Sequence, residues 1–249
     1  MLTGGEPTQL RALLLKPAGP GPFEAVVALH GCSGLYDSQG KLRAREAAWG
    51  DVLTARGYVV LFPDSFGPRG VSADCEGSVR PWTARSYDAY GALHYLQSQS
   101  FVIGERIGLM GWSHGGATVI FAIAPGSIAR PAELLKGDFR AAVAFYPAWC
   151  RFLGANWTPA MPFLLEVGAA DDVTPAGPCV ESVQSAIERG APAQMKVYAD
   201  AFHDFDWPGN LLHGVTGPSG LTVHYGVNDA ARADALVRVP AFFDSYLKP

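Results

Sequence analysis

Apolar residues along this chain gather in short continuous runs, and between the runs they recur at helical spacing. Seven runs have the length of a strand: Gln9–Lys16, Glu24–His30, Tyr58–Phe62, Arg106–Met110, Phe139–Tyr146, Pro162–Gly168 and Ala193–Tyr198. A run that is apolar at nearly every position suits a strand covered on both faces, and glycine or proline ends most of them. Helices are expected over Lys41–Arg56, Ser86–Gln97, Ala117–Ile123, Val180–Arg189 and Ala230–Tyr246. In the first of these Leu42, Ala47, Trp49, Val52 and Leu53 alternate with charges, and Gly57 stands where a helix would stop. Strands alternating with helices predict an α/β fold, with a mostly parallel central sheet, helices on both faces and Gln9–Lys16 as an edge strand. Residues 64–82, 148–161 and 207–227 carry no clear period. Loops that long inside a compact domain are more often functional than idle, and ligands on such sheets bind at the carboxyl ends of the strands.

The 249 residues suffice for a single large domain over 1–249, and 49% hydrophobic with 17% charged residues is a globular composition. A net charge of -4, with no block of lysine or arginine, argues against a nucleic-acid partner. No apolar run is long enough to cross a bilayer, so no membrane association is expected. The segment Met1–Gln9 lacks the basic start and apolar core of a signal peptide. A cytoplasmic location is therefore expected, with a periplasmic or secreted one as the alternative if a signal had been removed. Cys32, Cys75, Cys150 and Cys179 form no C-x-x-C pair and no zinc-like spacing. Free thiols are the expectation for a cytosolic chain. A disulfide between two of Cys75, Cys150 and Cys179, placed in loops on one edge of the sheet, is the alternative.

The candidate chemistry begins at Gly111-Trp112-Ser113-His114-Gly115-Gly116, after one strand-like run and before one helix-like run. This is the G-x-S-x-G pattern of a nucleophile elbow in its strand-turn-helix setting. A serine hydroxyl stands clear of the backbone only on a sharp turn, where a Cβ on either side would clash. Gly111 and Gly115 remove those two Cβ atoms. A helix starting at His114 aims its first N–H groups at the place where an oxyanion would form. The small residues of His30-Gly31-Cys32-Ser33-Gly34 leave main-chain N–H groups accessible, so the backbone N–H of Cys32 is paired with that of His114 as the expected oxyanion hole. Ser113 needs a base, and the base needs an acid to hold its tautomer. Asp171, just past the run Pro162–Gly168, and His203, in the loop after the last strand, supply them in the order Ser, Asp, His. Asp172 is the rival acid.

The other histidines carry plainer expectations: His94 packs on a helix, His213 and His224 lie on the surface, and His30 and His114 flank the oxyanion hole. Trp82, Trp112, Trp149, Trp157 and Trp207 are spread over the active edge, where they line a pocket or fill the core. Arg69, Arg80, Arg85 and Arg151 lie in or beside active-edge loops. Solvent-facing charges are the ordinary reading, and recognition of a substrate carboxylate is the alternative.

Taken together, the Gly111–Gly116 elbow, the His30–Gly34 loop, the Gly168-Ala-Ala-Asp171 segment and the Ala201-Phe-His203-Asp-Phe205 run resemble the dienelactone hydrolase branch of the α/β-hydrolases, over about residues 10–248. The resemblance implies an α/β-hydrolase fold without a separate cap domain, acting on esters or lactones with no cofactor, and it carries the triad to Ser113, Asp171 and His203. It departs at the nucleophile, which is cysteine in dienelactone hydrolases proper and Ser113 here. Serine is the general solution for carboxylic esters. The expected function is therefore a serine esterase acting through an acyl-enzyme on a small-molecule ester or lactone, as a monomer or small homo-oligomer. A small prolyl-oligopeptidase-like peptidase and a non-catalytic binding protein are the alternatives. Residues 207–227, which the resemblance does not account for, are expected at the pocket rim.

Overall fold

A computed structural model describes residues 8–248. Residues 1–7, on which most of the leader reading rests, lie outside the described residues. Seven strands form one sheet: β1 (Arg11–Leu15), β2 (Phe23–Leu29), β3 (Val59–Asp64), β4 (Val102–Trp112), β5 (Ala141–Phe145), β6 (Phe163–Gly168) and β7 (Ala193–Tyr198). Their order across the sheet is β1-β3-β2-β4-β5-β6-β7, with β1 antiparallel to β3 and every other pairing parallel.

Parallel neighbours need crossovers, and five helices supply the cover: α1 (Ala44–Ala55), α2 (Ser86–Gln97), α3 (His114–Ala122), α4 (Gly177–Glu188) and α5 (Asp229–Leu247). Alternate residues of one strand feed two separate cores. Ala25, Val27 and Leu29 pack with Leu93 and Leu96 of α2, Val119 and Ile120 of α3 and Val183 of α4. Val26 and Ala28 pack with Trp49 and Leu53 of α1 and with Val239 and Phe243 of α5. The central apolar runs are thus buried on both faces, as the pattern predicts, while the edge strands β1 and β7 are only partly covered.

Two differences from expectation matter. Residues 213–225 fold into a hairpin, β8 (His213–Thr216) and β9 (Thr222–Tyr225), antiparallel and detached from the main sheet. The cysteines are not free: Cys32 bonds Cys75, and Cys150 bonds Cys179. Cys32 follows β2 and Cys75 follows β3, which is its sheet neighbour. Cys150 follows β5, and Cys179 lies inside α4, after the neighbouring β6, rather than in a loop. Adjacent parallel strands deliver their exits side by side, and a spacing of 43 or 29 residues in sequence does not reveal that.

Candidate active site

Ser113 occupies the turn between β4 and α3 with φ 51° and ψ -110°, a backbone conformation that costs a non-glycine residue about 1–3 kcal/mol. The surroundings hold it there. A Cβ on Gly111 would sit 2.5 Å from the Gly115 carbonyl, and one on Gly115 would collide with the Leu29 carbonyl oxygen. The Ser113 N–H donates to the Phe145 carbonyl on β5 at 3.0 Å. Tyr146, Trp149 and Asp204, all close to the same site, also have positive φ.

His203 follows β7, with its Nδ1 2.8 Å from Asp171 Oδ2. The other Asp171 oxygen accepts the N–H groups of Val173 and Thr174 at 2.9 and 2.8 Å, which fixes the carboxylate. Burial acts to lower the His203 pKa, but the charge and hydrogen bond of Asp171 outweigh it and raise the imidazole above its ordinary 6.5. Asp172, the rival acid, turns away and binds the ring and the N–H of His224, both at 2.7 Å. His224 is therefore not an idle surface residue, since it ties β9 to the loop bearing Asp171.

Ser113 and His203 open onto one pocket of about 620 Å³. Among the described residues no hydrogen bond joins their side chains, and bonds of this kind often tighten only when substrate is present. Cys32 and His114 line the same pocket. The N–H of Cys32 has no partner among the described residues, and His114 opens α3, where a helix leaves its first N–H groups free. Trp149, Trp207, Tyr225, Pro175 and Val215 supply apolar wall, with β8 and β9 at the rim. Trp112 and Trp157 are buried, and Trp82 packs edge-on to Trp149.

Of the four flagged arginines, only Arg151 lines the pocket. Arg69 is held by Asp88 at 2.8 Å through both its terminal nitrogens, and Arg80 lies 6.0 Å from the ring centre of Trp82. Arg85 is fully buried. Sequence reading missed Arg45, a buried residue of α1 that reaches the pocket. It binds Glu46 at 2.6 Å and Asp204 at 2.9 Å, and stacks on Trp112 and Trp207. Asp206 was missed as well. It accepts from the indole N–H groups of Trp49 and Trp112 at 2.7 and 2.8 Å and from the Tyr146 hydroxyl. These bonds tie the His203 loop to α1, to the residue before Ser113 and to the residue after β5. The only sequence signal was charge in an otherwise buried context.

The fold recurs among solved structures. A dienelactone hydrolase-like protein of Klebsiella pneumoniae subsp. pneumoniae MGH 78578 superposes with a TM-score of 0.69 at 16% identity, over 95% of this chain and 93% of that one. Esterase 2 of Thermogutta terrifontis, in a propionate-bound structure, gives 0.66 at 16% identity, over 96% and 91%. Dipeptidyl peptidase 4 of Porphyromonas gingivalis gives 0.65 at 20% identity, over 96% of this chain but 34% of that one. The YtaP protein of Bacillus subtilis (strain 168) is 39% identical across 39% of this chain and 37% of its own length. The model of the dienelactone hydrolase family matches residues 10–247. With that match spanning nearly all of a sheet whose strand exits gather Ser113, Asp171 and His203, the chain belongs to the dienelactone hydrolase family.

Proposed function

We propose that this protein is a serine hydrolase that cleaves carboxylic esters through an acyl-enzyme on Ser113. The observation that carries the reading is the convergence of a serine held at φ 51° with a buried His203–Asp171 pair on one pocket. His203 Nε2 takes the Ser113 proton as Oγ attacks the ester carbonyl, and the N–H groups of Cys32 and His114 receive the oxyanion. Asp171 stabilises the imidazolium. Collapse of the tetrahedral intermediate expels the alcohol, which takes its proton from His203. Water then enters, gives a proton to His203 and releases the acid by the same route.

The aromatic and proline walls favour a neutral ester with an apolar or aryl group, because the charge of Arg45 is already met by Glu46 and Asp204. Paired neutral and acid-bearing esters test this. A clear preference for the acid would shift the choice to Arg151.

A fluorophosphonate probe is the direct test of the nucleophile, and the Thermogutta terrifontis esterase with this fold has been captured phosphorylated by paraoxon. Labelling at Ser113 that is lost in both Ser113→Ala and His203→Ala is expected. A folded protein that stays unlabelled would sink the reading. Hydrolysis of a prolyl arylamide in preference to esters would favour the peptidase alternative.

The two disulfides support an oxidising compartment over the cytoplasm. Alkylation of the protein taken from its native cells should find no reactive thiol. Free cysteines there would restore the cytoplasmic reading.

A further inference from the structure

Arg85 ends a π-helical turn, Pro81–Arg85, that runs into α2, and its N–H donates to the Arg80 carbonyl at 3.2 Å. Single turns of this kind recur at functional sites. This one drives Arg85 into the interior, where its exposure is 0%. Asp88, one turn further on, is engaged by Arg69 instead. A buried guanidinium is costly unless its bonds are well used, and an apolar side chain of similar volume would pack there at no such cost.

Its bonds go to two particular places. One terminal nitrogen, Nη2, donates to the His30 carbonyl at 2.8 Å, two residues before Cys32. The other, Nη1, donates to Nδ1 of His114 at 2.8 Å. The two loops joined by this fork are the two that present free N–H groups to the pocket. The remaining contacts stiffen the same arrangement. His30 Nε2 accepts the Ser65 N–H at 3.2 Å, so its Nδ1–H donates to the Gly31 carbonyl at 2.7 Å. Phe66 lies under the guanidinium and edge-on to both imidazoles. Burial and the nearby Arg85 charge push His114 down to about 3, so its ring is neutral and accepts from Arg85. Burial lowers Arg85 itself to about 10, which leaves it charged at neutral pH.

We propose that Arg85 is a positioning residue of the oxyanion hole, a rigid planar fork that fixes the N–H groups of Cys32 and His114 relative to each other. The proposal rests on the serine-hydrolase reading. Lysine cannot replace the fork, because an ammonium offers no two donors at a fixed planar separation.

The test compares wild type with Arg85→Met and Arg85→Lys on p-nitrophenyl butyrate, with concentrations set by fluorophosphonate titration of active sites. Removing one oxyanion donor typically costs about 10²–10³ in kcat, and a misplaced pair should cost part of that, roughly 30-fold or more for Arg85→Met. KM should stay within about threefold, because the hole acts on the transition state rather than on bound ester. Affinity for an aryl trifluoromethyl ketone, whose tetrahedral adduct fills the hole, should fall by the same factor as kcat/KM. Arg85→Lys should recover only part of the loss.

A merely structural arginine would lower the number of titrated sites and leave kcat per site unchanged. That result, or equal weakening of KM and of ketone binding, overturns the proposal. If Arg85→Met does not fold, Arg85→Lys decides, and full activity per site in that variant overturns it. A wild type that neither labels nor turns over ester overturns the serine-hydrolase reading, and this proposal with it. A labelled wild type with unaffected variants removes the role of Arg85 alone.

Discussion

His203 sits between opposing influences, with burial acting to discharge the imidazole and Asp171 acting to charge it. A base must be neutral to accept a proton, so the rate should fall on the acid side of a pKa lying above the ordinary imidazole value. Asp171→Asn removes the main raising influence. The acid limb of kcat/KM should move to lower pH while kcat drops about 10³–10⁴-fold, as losing the orienting carboxylate does in comparable triads. An acid limb that stays in place would mean that another group sets it. Glu166 offers a test away from the pocket. Burial pushes this carboxyl up to about 8, although the Tyr198 hydroxyl donates to it at 2.7 Å. The folded protein keeps a proton that the unfolded chain loses near 4.5, so stability should fall as pH climbs from about 4.5 to about 8. Urea midpoints for Glu166→Gln should gain on wild type between pH 5 and pH 8, and an unchanged difference would refute the buried neutral acid. Ser113, Asp171 and His203 were legible because glycine spacing and strand exits mark them. Arg45 and Asp206 were not, and Arg85 was marked only as a loop charge or a carboxylate binder, because their partners lie up to 159 residues away and a charge in a helix or loop reads as solvated.

The hairpin of β8 and β9 is an element that the apolar pattern could not announce. Its strands are four residues long and mostly exposed, since they cover a pocket mouth and contribute nothing to either core. It is held at its base by the Gly226 N–H to the His203 carbonyl at 2.9 Å and by the His224–Asp172 pair. Tyr225 meets the His203 ring edge-on at 5.5 Å. Replacing residues 214–223 with a tight Asn-Gly turn should leave the fold and kcat intact. KM for a small ester should rise about fivefold, equivalent to about 1 kcal/mol of lost apolar contact, while bulkier esters gain. Steady-state kinetics over a graded acyl series would show it, and a uniform loss of kcat would mean that the hairpin instead holds His203. The seven main strands were legible for the opposite reason. The central ones, such as β2, β3, β5 and β6, are buried on both faces, so nearly every residue in them is constrained to be apolar, while the edge strands β1 and β7 are only partly covered.

Across the whole molecule the two disulfides staple neighbouring strand exits on either side of β4, the strand that delivers Ser113. Closing loops of 43 and 29 residues restricts the unfolded chain by an amount worth about 3–4 kcal/mol each on chain-entropy arguments. Reduction should therefore lower Tm by roughly 10–20 °C in total. It should also slow catalysis below that Tm, because Cys32 carries the proposed oxyanion N–H as well as a cross-link. Double serine variants separate the effects: Cys150→Ser with Cys179→Ser should cost mainly stability, and Cys32→Ser with Cys75→Ser should cost kcat as well. Equal kcat in both would show that the staple does not tune the hole. One further property follows from the carboxylate of Asp206, which collects the indole N–H groups of both Trp49 and Trp112 on the loop that carries His203. Two chromophores are thereby wired to the loop of the proposed base, so tryptophan fluorescence should respond to how that loop is seated, readable during turnover without any attached dye.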